Sequence, residues 1–92
     1  MEKEDKKFIT RDITLAATLT TLGIFHERID FTLEGDKNNA IGYFVFDNNP
    51  ELKETEIAYR KGELLVEPNK FMGSLHQLKA LVMNYLRSPH NQ

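Results

Sequence analysis

The sequence predicts a small α+β domain in which an antiparallel sheet of three or four strands packs against helices. Its 92 residues are the length of a single domain. Some segments have apolar residues at every second position, and others repeat them with the 3.6-residue period of a helix. These segments follow one another in the order β-α-β-β-α-β-α. A chain of this size forms one modest core around such elements.

The predicted domain begins with a short strand at 8–10 and a helix at 12–22. Either Asp12 or Thr10 can cap this helix, because a side-chain oxygen accepts a hydrogen bond from an unpaired backbone N–H of the first turn. Gly23 follows where the end of a helix needs a positive φ. The apolar side chains of the helix fall on one side: Leu15, Ala16, Leu19 and Leu22.

A hairpin is predicted next. In the segment 25–33 the apolar residues Ile29, Phe31 and Leu33 alternate with polar ones, which is typical of a half-buried strand. Residues 34–39 are rich in Gly, Asn and Asp and therefore predict a turn. The second strand of the hairpin is predicted at 40–47.

The C-terminal half contains two further helices and a short strand. A helix over about 50–60 has Asn49 as its N-cap and a proline at its first position, where the missing N–H is not needed. A strand is predicted at 63–67, built on two leucines and a valine. The longest helix covers about 69–87, with Asn69 as its predicted cap.

The first six elements match the split β-α-β, or ferredoxin-like, arrangement, and the seventh is an added C-terminal helix. The predicted domain spans 8–87. Residues 1–7 and 88–92 are predicted to be solvated, disordered tails.

Composition narrows the range of functions. The chain has no cysteine, which excludes disulfides, thiolate metal sites and thiol catalysis. Its net charge of −2 argues against a wholly basic nucleic-acid-binding protein. No apolar run approaches the length of a membrane span, and the N-terminal residues lack the apolar centre of a signal peptide. The sequence therefore predicts a soluble cytoplasmic protein that does not bind a membrane.

Residues spread over about 8–87 resemble one family of small bacterial, prophage and phage proteins that are known as a domain of unknown function. The matching positions are Asp12, Leu15, Ala16, Leu22, Gly23, the run from Tyr43 to Asp47, Tyr59, Gly62, Leu64, Val66, Pro68, Phe71, Leu78 and Lys79. Most of them are core and turn residues. The resemblance implies an origin in a phage or mobile element and an accessory role that acts by binding. It implies no activity and no role for any residue.

Two helical surfaces are candidates for an interface. The segment from Ile13 to Phe25 contains no ionisable side chain and presents three threonines, namely Thr14, Thr18 and Thr21. Neutral groups lose their water cheaply when they are buried against a partner. The alternative is that this helix packs between the sheet and the last helix. On the last helix, Gly73, Gln77 and Ala80 form a seam of small and amide side chains, opposite a core face on Phe71, Leu75, Leu78, Val82 and Tyr85.

The strand at 40–47 is apolar on both faces, with Ile41, Tyr43 and Val45 on one and Gly42, Phe44 and Phe46 on the other. A second cover is therefore expected, namely the added helix, a second subunit or stacked bases. Aromatic residues on such a strand stack on bases in RNA-recognition motifs. The second hypothesis is therefore single-stranded nucleic-acid binding. The residues assigned to it are Tyr43, Phe46, Arg60, Lys61 and Lys70.

Neither a metal site nor a catalytic site is predicted. The histidines His26, His76 and His90 lack the spacing of metal ligands, and no metal or other cofactor is expected. Acidic residues cluster near Asp47 and Glu51, where the dipole of the following helix explains them.

The sequence thus favours a non-enzymatic protein-interaction module. The expected partner is a second copy of the chain, in a homodimer, or a host factor.

Overall fold

The computed structural model describes residues 6–33 and 40–87, and within them the chain forms an α+β domain with three strands and three helices. The predicted α+β class is confirmed. Lys7 belongs to the first strand, and the remaining residues of the two predicted tails, apart from Lys6, lie outside the described ranges. The elements are β1 (Lys7–Thr10), α1 (Ile13–Thr21), β2 (Arg28–Leu33), β3 (Ala40–Asp47), α2 (Pro50–Lys61) and α3 (Pro68–Arg87).

The three strands form one antiparallel sheet in the order β1-β3-β2. Because β1 and β2 each pair antiparallel with β3, they run parallel to each other on its two sides, and α1 connects them across the sheet. Val45 in the centre of β3 lies opposite Ile9 on one side and Arg28 on the other. This register places Phe44 and Phe46 on one face of the sheet and Tyr43 and Val45 on the other.

The core lies between α1 and the face of the sheet that carries Phe44 and Phe46. Both phenylalanines and Leu19 are at most 1% exposed. Helix α2 contributes Leu52, and α3 packs against α1 and contributes Leu78 to the same core. The predicted core face of α3 is confirmed, since Leu78 is buried and its other members are half-buried. Helix α1 is consequently enclosed by the sheet and by α3.

The helix ends follow the local sequence closely. The side chain of Asp12 accepts hydrogen bonds from the backbone N–H groups of the first turn of α1, and Asn49 caps α2 in the same way. Gly62 ends α2 with a φ of 73°, a left-handed conformation that glycine adopts without strain. The predicted cap of α3 is wrong by two residues. Glu67 Oε1 accepts the backbone N–H of Lys70 at 2.7 Å, so α3 begins at Pro68 rather than after Asn69.

The structure differs from the prediction in two further segments. Residues 25–27 precede β2 as a loop, because Phe25 is exposed and His26 turns towards the core. The predicted strand at 63–67 is not observed, since the segment pairs with no strand among the described residues. Leu64 and Val66 line a groove beside the helices, whereas Leu65 is exposed. The predicted ferredoxin-like order therefore lacks its fourth strand here.

Replacing Asp12 with alanine is expected to lower the free energy of unfolding by about 1–2 kcal/mol. Asp12 Oδ1 caps α1 by accepting the N–H groups of Thr14 at 3.0 Å and Leu15 at 3.2 Å. Its Oδ2 accepts the hydroxyl of Tyr59 at 3.2 Å, which joins α1 to α2. The measurement is urea unfolding followed by circular dichroism. Asp12→Asn retains a capping oxygen and is expected to lose less, and Tyr59→Phe isolates the hydroxyl contact. Equal losses in Asp12→Ala and Tyr59→Phe would show that the cap contributes nothing.

Candidate functional site

The three helices and the segment 63–67 enclose an open, mainly apolar groove of about 280 Å³. We call it the helical groove. It is lined by Thr18, Tyr59, Gly62, Leu64, Val66 and Phe71. Pockets for drug-sized ligands usually measure about 300–1,000 Å³, so this groove lies just below that range. It has room for one large apolar side chain.

The wall formed by 63–67 follows from the way in which α2 ends. The left-handed conformation of Gly62 turns the chain, and the backbone N–H of Glu63 bonds the carbonyl of Ala58 at 3.0 Å. In the residues that follow, exposed and half-buried side chains alternate, as they do along a strand. Leu64 and Val66 line the groove, whereas Leu65 between them is 92% exposed. A large aliphatic side chain therefore projects into solvent next to an apolar groove.

A tyrosine supplies the polar group of the groove. The hydroxyl of Tyr59 donates a hydrogen bond to Asp12 Oδ2. Burial, together with the negative charge of Asp12, raises the pKa of Tyr59 above its usual value. The hydroxyl therefore stays protonated at neutral pH and remains a hydrogen-bond donor. This makes Tyr59 a poor general base.

The three threonines proposed as an interface do not form one exposed face. Thr14 is exposed, but Thr18 is only 5% exposed and Thr21 is half-buried. The hydroxyl of Thr21 lies 3.1 Å from that of Ser74 on α3. The absence of charged residues in α1 follows from its enclosure, which was the alternative considered for this helix. Thr18 remains of interest because it lines the helical groove.

The seam proposed on α3 is exposed along its length. Gly73, Gln77 and Ala80 all lie on the side of α3 that faces away from α1. A Cβ added at Gly73 would meet no atom within 4 Å, so there is open space beside the helix. Large apolar side chains of the same helix are also exposed by more than two-fifths, namely Met72, Leu81 and Met83.

The face of the sheet opposite α1 carries exposed side chains on its two outer strands, β1 and β2, and we call it the open sheet face. Its centre is apolar, with Ile9 at 56% exposure beside the buried Val45. One end carries a network of charged side chains. In it, Lys7 contacts Glu27 and Asp47, and Arg28 contacts Glu27 and Asp30. The hydrogen bond to Glu27 raises the pKa of Lys7 the most, and the hydrogen bond to Asp47 raises it further. Because acids outnumber bases in this network, the end of the face has a net negative charge.

The residues assigned to nucleic-acid binding are not brought together. Tyr43 is half-buried on the open sheet face, whereas Phe46 is 0% exposed and points into the core on the other face. The two rings therefore cannot form one stacking surface. Arg60 lies on α2 and pairs with Glu56 at 2.6 Å, and Lys61 and Lys70 are exposed near the ends of α2 and α3. These cations lie on helices, while the open sheet face beside Tyr43 is acidic.

His26 is packed against the aromatic core rather than placed in a site. Its ring meets the rings of Phe44 and Phe46 edge-on, with centroids 5.8 Å and 6.2 Å away. Its Nδ1 is buried and has no hydrogen-bond partner among the described residues. Burial lowers the pKa of His26 below its usual value of 6.5.

This position predicts sensitivity to acid. The unfolded chain binds a proton on His26 at a higher pH than the folded chain does. The free energy of unfolding should therefore fall as the pH drops below about 6.5. His26→Phe keeps an aromatic ring and removes the titrating group, so its stability should decline less between pH 7 and pH 5. Urea unfolding at several pH values measures this, with His76→Gln on the exposed side of α3 as the control. An unchanged decline in His26→Phe would contradict the prediction.

Sequence reasoning assigned no function to the residues that form the groove, apart from Thr18. The sequence predicts a strand at Leu64 and Val66 and places Phe71 on the core face of the last helix. One signal in the sequence could have indicated the groove. In a strand-like segment from Glu63 to Glu67, Leu65 points to the side opposite Leu64 and Val66, so one of the two sides exposes an apolar residue. Within 6–33 and 40–87, no group of three or more histidines or acids is arranged to hold a metal ion.

Comparisons with known proteins are limited to one family. A family model described as "Domain of unknown function (DUF5659)" matches residues 5–84. The chain has no significant match among curated proteins or solved structures. None of the helices in the described ranges combines the length and hydropathy needed to cross a membrane.

Proposed function

The chain belongs to the DUF5659 family of domains of unknown function, and we propose that it is a non-enzymatic protein-interaction module whose helical groove receives one apolar side chain of a protein partner. The observation that carries the proposal is the 92% exposure of Leu65 beside that groove. A protein partner that covers this leucine and the adjacent groove removes apolar surface from water, which is the main driving force of most protein association.

Two observations support a protein partner. The volume of the groove, about 280 Å³, lies just below the usual range for drug-sized ligands. Met72 at 44% exposure lies one residue beyond the lining residue Phe71 and extends the apolar surface of α3. A polypeptide can cover Leu65 and Met72 together with the groove, whereas a small molecule would leave them in water.

The partner is a host factor or a second copy of the chain. A role as a phage or prophage accessory protein is part of the proposal, since an accessory protein can act by occupying a surface of a host protein. Formation of a homodimer would use the exposed seam of Gly73, Gln77 and Ala80. Small residues there would allow the α3 helices of two copies to approach closely.

The groove can be tested with probes that carry one side chain. N-acetyl-phenylalaninamide and N-acetyl-leucinamide are titrated at millimolar concentrations into the ¹⁵N-labelled protein, with N-acetyl-serinamide as the control. The amide resonances of Thr18, Leu64 and Phe71 are expected to shift with the two apolar probes only. Shifts that are equally large with the serine probe, or that occur elsewhere, would contradict a groove specific for apolar side chains.

Oligonucleotide binding is the competing hypothesis, and light scattering separates the two. Size-exclusion chromatography with light scattering is run at two salt concentrations, with and without a mixed-sequence single-stranded oligonucleotide. The acidic end of the open sheet face disfavours phosphates, so we expect no shift with the oligonucleotide. A shift that disappears at high salt and in Tyr43→Ala would replace the proposal with nucleic-acid binding. The mass without oligonucleotide reports whether the chain dimerises.

A further inference from the structure

We propose that the segment 63–67 is an edge strand that binds an extended segment of a different polypeptide by backbone pairing. The inference rests on the proposed interaction function and specifies the partner. Within the described part of the chain, no hydrogen bond involves the backbone N–H or C=O groups of Leu64, Leu65 or Val66. Unpaired backbone groups on an extended segment are the feature to which partner strands add in many peptide complexes.

The side chains of the segment have the alternation of a strand. Leu64 and Val66 are half-buried against the helices, and Leu65 between them is 92% exposed. Leucine and valine in this pattern also predict a strand from the sequence alone. The segment therefore has the burial alternation, the composition and the unpaired backbone that an edge strand needs.

The charges at its ends indicate the chemistry of the partner. Glu63 and Glu67 are exposed and lie two residues before and after Leu65, the spacing at which residues of a strand share one side. One oxygen of Glu67 also caps α3, and its negative charge stays next to the segment. Antiparallel pairing with a second copy, centred on Leu65, would place Glu63 opposite Glu67 of that copy. Like charges directly opposite each other destabilise a strand pair. The favoured partner is therefore another protein, with an apolar residue opposite Leu65 and a Lys or Arg two residues to each side.

The experiment uses the full chain and a capped peptide, Ser-Lys-Val-Leu-Val-Lys-Ser. Hydrogen exchange of the backbone amides is followed by NMR with and without the peptide. Pairing should slow exchange at Leu65, or at Leu64 and Val66, by at least about tenfold, depending on which edge of the segment is used. Exchange in β1 and β2 should not change. A peptide with N-methylated central residues cannot donate the backbone hydrogen bonds, and it should give no protection.

Exchanging the charges tests the choice of partner. The peptide with Glu in place of both Lys residues should bind the native protein up to about fivefold more weakly. In the variant Glu63→Lys, the difference in affinity between the Lys-containing and the Glu-containing peptide should become smaller or change sign. Glu63 is chosen because the side chain of Glu67 caps α3, so that changing Glu67 would also weaken the helix. The variant Leu65→Asp should lose binding without losing stability, since this side chain makes little contact with the rest of the chain.

The outcomes separate this inference from the proposed function. If the single-residue probes shift the groove but the peptide protects no amide of 64–66, strand pairing is wrong and the groove function stands. If neither the probes nor the peptide binds, both fail. Protection along β1 or β2 instead would overturn the assignment to 63–67. Protection at 64–66 that grows with protein concentration and needs no peptide would make the partner a second copy.

Discussion

Phe46→Ala is expected to lower the free energy of unfolding by about 3–5 kcal/mol, the range for removing a large aromatic side chain from a core. Phe46 is 0% exposed. Its ring lies 6.4 Å from that of Phe8 and 6.2 Å from that of His26. A loss of this size is a large part of the stability of a typical domain, which is about 5–15 kcal/mol. Urea unfolding followed by circular dichroism measures the loss.

Tyr43→Ala is the matched control because it removes an aromatic ring three residues away on the same strand. Tyr43 is half-buried on the open sheet face, so its replacement is expected to cost clearly less than that of Phe46. The same pair of variants separates the core from a binding surface. If Phe46→Ala left stability unchanged, the ring would not be part of the core, and its assignment to base stacking would regain support.

Gly42→Val is expected to lower the free energy of unfolding by about 1–3 kcal/mol through overpacking. A Cβ at Gly42 would lie 3.1 Å from Phe31 Cε1 and 3.3 Å from Ile29 Cγ2. The Phe31 ring cannot move aside freely, because it is stacked parallel to the Tyr85 ring of α3 with centroids 3.7 Å apart. The substitution should therefore also disturb the contact between α3 and the sheet. Urea unfolding gives the energy, and the ring resonances of Tyr85 report the contact.

A double-mutant cycle identifies the cause of that loss. In a Phe31→Leu background the stacked ring is absent, so adding Gly42→Val should cost less than it does in the native chain. Equal costs in the two backgrounds would mean that the penalty does not come from the Phe31 ring and arises from the contact with Ile29 or from the backbone of β3.

Most of the element boundaries could be predicted because local interactions determine them. Asp12, Asn49 and Gly62 set helix ends within a few residues of their own positions. Alternation of apolar and polar residues marked β2, and the turn residues that precede β3 placed that strand. The cap of α3 was missed because glutamate is not a usual capping residue, although Glu67 performs that role here. Local patterns are reliable where both interacting groups are close in sequence.

The predictions that failed depended on distant contacts. An uncharged helix is expected both where it binds a partner and where it packs against another helix of the same chain, so the sequence of α1 does not distinguish the two. The contact of Thr21 with Ser74 on α3 becomes visible only in the fold. Leu64 and Val66 have the composition of a strand, but their sequence does not say whether a neighbouring strand exists. The joint assignment of Tyr43 and Phe46 could have been avoided from the sequence. Residues three apart on a strand lie on opposite faces.

The position of β3 has a consequence for how the chain folds as it is synthesised. Residues up to 33 contain β1, α1 and β2, but β1 and β2 make no hydrogen bonds to each other, since β3 lies between them. No part of the sheet can therefore form before Ala40–Asp47 has left the ribosome. When it does, a single strand completes both pairings. A nascent chain that stalls before β3 would expose Ile29 and Phe31 to water, and it would depend on chaperones until synthesis resumes.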